Sequence, residues 1–447
     1  MHLNNSLKNT VQFCIASALC VAIPSHATNS NLLNHATGLT TGQSSNQLSL
    51  FSGIYNPAMG NVMIDDDEHF RMNYFFSFTD STEYGQVDNF IDDLDELIDI
   101  LDDPSLNTDP VNVTLDKFNV IIESAGKEGY LKTSNGFYIP FSPLFWKPDF
   151  LPGTLAFEAN IETQIKVSVL ADRLIYDSAK ETFTTATSAY LKSGLQKKFS
   201  VGYSQEYAPQ KIANWGGTLI FGARINIYNM ELSKQVYQLQ LLEGENIEDV
   251  IENQYKKHRV RSTNMGIDLG LVWLAPSYRL GASIVNLNAP SFNYGEIGTQ
   301  CDSHIEGSNQ QSNCYISDYF INTRGMIKGH EKHKKNPVIT LDGSYFLLDN
   351  WLISGAAELA SYDDAIGTEN QWLSASTSYH PTTTWLPDWR FGYSKNLVGS
   401  KLSYANLGLT LFNTFNLDLS MALEDAVIEE EKHPRGLSFA ISFEEHF

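Results

Sequence analysis

The sequence predicts an all-β protein, an antiparallel, up-and-down transmembrane β-barrel of about 14 strands, with an irregular N-terminal segment and one or two short acidic helices. Three observations predict it. The chain opens with an export signal, its length beyond residue 135 reads as strand-like segments divided by turn residues, and it ends in "RGLSFAISFEEHF", a strand apolar on one face only.

At the N-terminus, Lys8 precedes the apolar run 11–23, which is too short to span a bilayer. "PSHA" follows, with Ser25 and Ala27 at the small-residue positions of a secretory cleavage site, so residues 1–27 are expected to leave as a signal peptide cut after Ala27. Cys20 in "SALC" admits a lipoprotein reading, although Ser17 and Leu19 reverse the usual order of aliphatic and small residues. Beyond residue 27 no 18 consecutive residues are apolar, so no transmembrane helix is expected.

Residues 28–64 form the N-terminal segment, rich in Asn, Ser, Thr and Gly, and close on "FSGIYNPAMGN". There Asn56, Pro57 and Ala58 read as a constrained turn before the first strand, "HFRMNYFFSF". The barrel is assigned to 65–447. Its first insert, 87–103, carries Phe90, Ile91, Leu94, Leu97, Ile98 and Leu101 on one helical face and a crowd of carboxylates on the other. A solvated acidic face accounts for that pattern; calcium would need loop spacing and a turn glycine that are absent.

From "NGFYIPFSP" onward the segments alternate in the two-residue period of strands. They are interrupted by polar loops at 238–260 and 293–335, the latter carrying Lys332, Lys334 and Lys335. The C-terminal half runs as hairpins with short turns such as "LLDNW", and small residues (Gly281, Ala282, Gly355, Ala356, Ala357) sit where a closed sheet must curve. A soluble all-β protein is the competing architecture.

Four cysteines become two if Cys14 and Cys20 leave with the signal. Cys301 and Cys314 then close a short loop in an oxidising compartment, which predicts a disulfide worth about 3 kcal/mol. Adding His304 makes a metal site conceivable, without the tight spacing such a site needs. A net charge of −22 excludes a nucleic-acid groove, while 21 Tyr and 25 Phe suit a chain crossing membrane interfaces.

In the tail, Leu437, Phe439, Ile441, Phe443 and Phe447 share one face, and Ser438, Ala440, Ser442 and His446 the other. The apolar face is assigned to lipid, with Glu445 near the headgroups. Phe439, Ile441, Phe443 and the terminal Phe447 are expected to form the signal read by outer-membrane assembly machinery.

Taken in order, "IYNPAMGN" (54–61), the acidic helix, "GARINIYNMEL" (222–232), "MGIDLGLVW" (265–273), "RLGASIVNLNAPSF" (279–292) and "LDLSMALE" (417–424) resemble the TraF-like conjugal transfer proteins. These are outer-membrane proteins related in architecture to FadL-type and porin-V-type barrels. The resemblance spans nearly the whole mature chain and maps Asn56, Pro57 and Ala58 onto the family's turn triplet, and Asp268 and Asn286-Leu287 onto strand ends. The glycine-rich stretch common before the triplet is missing, since 38–53 read "GLTTGQSSNQLSLFSG", so whether the segment plugs the barrel stays open.

The resemblance implies an outer-membrane protein of a Gram-negative bacterium, with a structural or assembly role in conjugative plasmid transfer. Its partners would be outer-membrane lipid, the assembly machinery and other conjugation or envelope proteins, with no nucleic acid. A FadL-like channel for hydrophobic or small compounds is the alternative by fold analogy; loops 240–260 and 295–335 also suit a surface adhesin or exclusion protein. No enzyme, cofactor or metal is expected. "GYSQE" (202–206) lacks the second glycine and the strand-to-helix turn of a nucleophile elbow, and His330 and His333 lack zinc-protease spacing.

Overall fold

The computed structural model describes residues 35–447 except 45, 47, 66–67, 87–95, 98, 102, 104, 106, 108, 208–215, 242–258, 349, 382, 384–385, 429–430 and 447. The signal peptide with its cleavage site, most of the acidic helix 87–103, most of loop 238–260 and Phe447 therefore lie outside the described residues.

The wall begins with a strand in two pieces, β1 (Phe70–Asn73) and β2 (Ser77–Tyr84), separated by Tyr74, Phe75 and Phe76. The second strand breaks at the same level. β3 (Tyr130–Tyr138) pairs with β2, and β4 (Leu144–Trp146), beyond Pro143, pairs with β1. Proline has no N–H to give a ladder, so a break there is expected.

β5 (Thr154–Leu170) leads through a small hairpin, β6 (Ile175–Asp177) and β7 (Thr182–Thr184), to the long strands β8 (Ser188–Tyr207), β9 (Thr218–Gln238) and β10 (Val260–Leu274). After β11 (Tyr278–Val285), a hairpin of β12 (Ser291–Asn293) and β13 (Lys332–Lys334) leaves the wall before β14 (Val338–Leu348) and β15 (Trp351–Glu358). A minimal pair, β16 (Tyr362–Asp363) and β17 (Glu369–Asn370), precedes β18 (Trp372–Tyr379), β19 (Asp388–Asn396), β20 (Ser403–Leu411) and β21 (Phe415–Ala422). The last outer hairpin, β22 (Asp425–Ile428) with β23 (Glu431–Pro434), delivers the chain to β24 (Gly436–His446).

Neighbouring wall strands are antiparallel throughout, and β24 pairs with β1 and β2 at Arg71↔His446 and Phe78↔Ile441. Counting each broken strand once, this is a closed barrel of 14 strands. Closure leaves no unpaired edge, the condition for a sheet to cross lipid.

The two faces of the wall are inverted relative to a soluble sheet. In β24, Leu437 is 55% exposed whereas Ser438 is 5% and Ala440 0% exposed. Around the barrel the exposed side chains include Ile225, Leu269, Leu341, Ile353, Phe391 and Leu419, while Arg224, Asp268, Arg390, Asn406 and Asp418 are buried inside. An apolar belt facing outward over a polar interior is the pattern of a barrel solvated by hydrocarbon. At the end bearing the short turns, Phe443 sits in an aromatic collar with its ring 5.1 Å from Phe415 and 5.4 Å from Phe75, as membrane interfaces favour.

Two helices went unforeseen in the sequence. Val111–Glu128 buries Phe118, Ile122 and Ala125 at spacings of four and three, and it packs against Leu97, Ile100, Leu101, Leu174 and Phe183 over the β6–β7 hairpin. Asn309–Asp318 lies inside the polar loop 293–335, where Ser308 caps it by accepting from the Gln311 amide at 3.2 Å. No helix among the described residues is long and apolar enough to cross a membrane.

Candidate functional site

The interior is occupied by the chain's own N-terminal segment. From His35 to Ile64 nearly every described residue is buried, and short turns, Gly38–Thr41, Ser52–Tyr55 and the 3-10 turn Pro57–Asn61, fold the segment compactly within the lumen. Its apolar side, with Leu50, Phe51, Ile54 and Met59, packs on Tyr138, Phe145, Ile220 and Val272 of the wall.

The Asn-Pro-Ala triplet is the hinge of this arrangement. Asn56 Oδ1 accepts from the Ala58 amide at 3.0 Å, capping the 3-10 turn, while Asn56 Nδ2 donates to the Leu271 carbonyl of β10 at 3.1 Å. Pro57 supplies the fixed φ that the first turn position wants. Two wall glycines make room for it. A Cβ at Gly222 would lie 2.2 Å from the Pro57 carbonyl carbon, and one at Gly270 would lie 2.0 Å from Asn56 Oδ1.

Charged groups of the wall hold the rest. Arg224 Nη1 donates to the Ile54 carbonyl at 2.6 Å and is itself gripped by Asp268 at 2.9 Å and Glu158 at 3.3 Å. Glu158 also receives Lys198 at 2.6 Å and the Tyr138 hydroxyl at 2.9 Å, so its charge is fully partnered. On the other sides of the barrel, His35 Nε2 meets Glu162 at 2.8 Å, Gln43 donates to Glu358 at 2.8 Å, and the Leu50 amide donates to Glu444 at 3.0 Å. The Thr40 hydroxyl donates to Asp418, which Arg390 holds at 2.9 Å. Hydrogen bonds to charged groups are worth about 1.5–3 kcal/mol each, so a segment anchored at this many points is a stable filling.

The resemblance placed Asp268 and Asn286-Leu287 at strand ends; Asn286-Leu287 do follow the end of β11, whereas Asp268 lies within β10, and together they form one corner. Asp268 Oδ1 accepts from the Asn286 amide at 2.8 Å, Asn286 Oδ1 accepts from the Tyr228 hydroxyl at 2.8 Å, and the Leu287 amide donates to the Ile267 carbonyl at 2.8 Å. Asn286 has φ of 54°, a left-handed conformation that Asn tolerates.

Loops fold over the opposite mouth. Cys301 and Cys314 are joined as a disulfide with Cα atoms 5.4 Å apart, pinning a 3-10 turn to the helix Asn309–Asp318. Below it the β12–β13 hairpin enters the lumen, where Phe292 packs edge-on against Tyr228 and stacks on His333. Lys192 meets Glu331 at 2.6 Å and Lys132 meets Asp364 at 3.1 Å, tying the wall to two separate loops, and the Tyr294 hydroxyl donates to the Ala365 carbonyl between those loops. Burial, reinforced by the Lys335 charge, pushes the His333 imidazole down to about 3. Burial likewise pushes the Lys335 ammonium down to about 7, against the pull of Glu162 and with the push of Lys198. Asp364 stays below the usual carboxylate range despite burial, because Lys132 and the Thr368 amide face it.

The structure does not bring the remaining sequence candidates together. Ser204 of "GYSQE" lies within β8 against Gly60 of the luminal segment, His330 is exposed beside Glu296, and His333 is buried on Phe292. His304 follows the disulfide turn, and among the described residues no three metal-binding side chains gather. Of the tail, Phe439, Ile441 and Phe443 line the outer face of β24. Arg224, Glu158, Glu162, Arg390 and Asp418 were missed as functional residues. Their signal was present as charges at inward positions of strands, two of them inside the quoted "GARINIYNMEL" and "LDLSMALE".

Residues 53–357 match the family model described as "F plasmid transfer operon, TraF, protein". No curated protein matches the chain in sequence. Among solved structures, a deltaS2 mutant of the TodX monoaromatic hydrocarbon channel is similar at 12% identity and TM-score 0.46, over 92% of this chain and 98% of that one. The Pseudomonas putida toluene transporter TodX is similar at 11% and 0.41, over 94% and 98%. A Pseudomonas aeruginosa FadL homologue is similar at 10% and 0.35, over 95% and 100%. Neither cargo nor mechanism passes to this chain from likenesses so distant, and its fold rests on its own strand pairing.

Proposed function

Because the chain belongs to the F plasmid transfer operon TraF family, we propose that it is an outer-membrane barrel with a structural or assembly role in conjugative plasmid transfer. The observation that carries the role is the filled lumen. A wall tied to its own N-terminal segment through Arg224, Glu162, Glu358, Asp418 and Glu444 gains rigidity at the expense of a path. That suits a scaffold presenting outer loops and periplasmic turns to envelope partners. The apolar outward belt supports placement in the outer membrane, and the aromatic tail supports delivery there by the assembly machinery. No catalysis is assigned.

The experiment is deletion of the gene in donor cells. Transfer frequency should fall at least tenfold and return on complementation, whereas donors that conjugate normally would overturn the proposal. In the same cells Phe447→Ala should lower the amount of heat-modifiable protein in the outer membrane.

One observation favours a second reading, a FadL-like channel: a chamber remains between the luminal segment and the mouth loops. Planar-bilayer recordings of the purified protein address it, and steady conductance of the wild type would shift the balance toward transport.

A further inference from the structure

The chamber has a chemical character of its own. It is bounded by Leu39 of the luminal segment below, Asp364 and Asn370 of the mouth above, and wall strands around it. Its charged groups already have partners. Lys132 is paired with Asp364 at 3.1 Å, and Glu83 receives the Tyr130 hydroxyl at 2.5 Å and the Tyr404 hydroxyl at 3.2 Å. Lys166, the cross-strand neighbour of Lys132, reaches Thr368 at 3.5 Å and lies over the Tyr130 ring. An ion entering the chamber would compete with contacts these groups already make.

What the lining offers instead is hydroxyl groups. Ser81, Ser134, Ser394, Ser420 and Ser438 face it with Tyr404. The Ser134 hydroxyl is 3% exposed at its residue and has no hydrogen-bond partner among the described residues. The other hydroxyls already have partners, Ser438 donating to Ser81 at 2.8 Å and Ser420 to Asn406 at 2.6 Å, so an apolar occupant would leave the Ser134 hydroxyl as the one dry, unpaired group among them, at a cost of about 1–3 kcal/mol. The Trp372 and Tyr404 rings, 5.9 Å apart and tilted, supply flat apolar faces beside the hydroxyls. Hydroxyls for a solute's edges, rings for its C–H faces and charged groups already engaged within the fold together select one class of ligand.

We propose that this luminal chamber is a binding site for a small, uncharged, polyhydroxylated solute, held by the Ser134 and Ser438 hydroxyls and the Trp372 ring. The assignment is independent of the conjugation role, and normal plasmid transfer by a deletion strain leaves it untouched.

The test is saturation-transfer NMR on the purified full chain in a detergent without sugar headgroups. D-glucose and myo-inositol are the probes, with sodium phosphate and sodium octanoate as charged and apolar comparisons. Transfer is expected to the two polyols and not to phosphate or octanoate, and Ser134→Phe should weaken polyol binding about tenfold or more. Ser438→Leu is the second variant, and heat-modifiable migration identical to wild type certifies that each variant folds. Silence of both polyols, preferential binding of octanoate or phosphate, or undiminished binding in both folded variants each overturns the site.

Discussion

Arg224 in the wall donates to the backbone carbonyl of Ile54 in the luminal segment at 2.6 Å, while Asp268 and Glu158 flank its guanidinium at 2.9 and 3.3 Å. Removing the cation would strand the buried Asp268 carboxylate, while Glu158 keeps Lys198 at 2.6 Å, and would free the segment at once. Arg224→Leu is therefore expected to destabilise the plugged barrel by about 3–5 kcal/mol. The check is the temperature at which folded protein converts to the unfolded band on gels, with limited proteolysis of residues 35–64 alongside. Adding Asp268→Asn should recover part of the loss, because the stranded charge is then gone, whereas adding Glu158→Gln should not, because it leaves the buried Lys198 unpaired.

Gly222 and Gly270 test the seat of the Asn-Pro-Ala turn. Valine suits a strand, but its Cβ at either position would fall 2.2 or 2.0 Å from Pro57 or Asn56. Gly222→Val and Gly270→Val should keep the closed wall and displace the luminal segment. Single-channel recording should then show larger conductance than wild type, whereas Gly202→Ala, whose nearest neighbour would be 3.4 Å away, should not differ from wild type. Wild-type conductance in both valine variants would argue that the turn does not set the seat.

The Cys301–Cys314 bridge closes a short loop at the mouth, so its loss should cost the loop about 3 kcal/mol. Reductant is expected to expose loop 293–335 to protease while leaving the barrel heat-modifiable. Thiol labelling of the mature protein should find two alkylatable groups only after reduction. Labelling without reductant would refute the bridge.

The mouth hairpin should loosen in acid. His333 sits at about 3 when docked, against 6.5 when free, so the undocked hairpin binds more protons between those values and docking weakens as pH falls through 6.5 toward 3. Lys335, at about 7 docked against 10.5 free, contributes in the same direction between 10.5 and 7. The charges facing them, Lys192 and Asp364 at His333, and Glu162, Lys198 and Asp268 at Lys335, are already counted in those positions. From pH 8 to pH 5 the His333 contribution alone falls by about 2 kcal/mol. Hydrogen exchange across 291–334 should accelerate accordingly, and His333→Gln should flatten the acid part of the profile. Exchange that is no faster at pH 5 than at pH 8, after correction for intrinsic rates, would contradict it.

Much of this molecule is legible along the chain because a barrel wall is written in a local code. Whether Ile225 faces out and Arg224 in depends only on a two-residue period, so the strands, the outward face of Phe439, Ile441 and Phe443 and the closing role of β24 follow from counting. The Cys301–Cys314 spacing was equally local. The helix Val111–Glu128 likewise carries a local periodicity in Phe118, Ile122 and Ala125, on a stretch between an acidic insert and the first long strand.

The lumen was decided elsewhere. "IYNPAMGN" announces a turn, yet nothing in it says that Asn56 will donate to a carbonyl 215 residues away, or that Thr40 will meet Asp418 across 378. An inward charge on a strand can face water, a ligand or another segment of the chain, and the alternation that places it inside is silent about which. Closure of the sheet gathers Arg224, Glu162, Glu358, Asp418 and Glu444 around one space, and that space converts a polar N-terminal segment without a helical or strand period into a plug. The sequence by itself determined the wall, because side-chain direction in a strand is a nearest-neighbour property. Only the tertiary structure decided the plug, the folded mouth and the chamber between them, because each depends on which distant charges a closed barrel brings face to face.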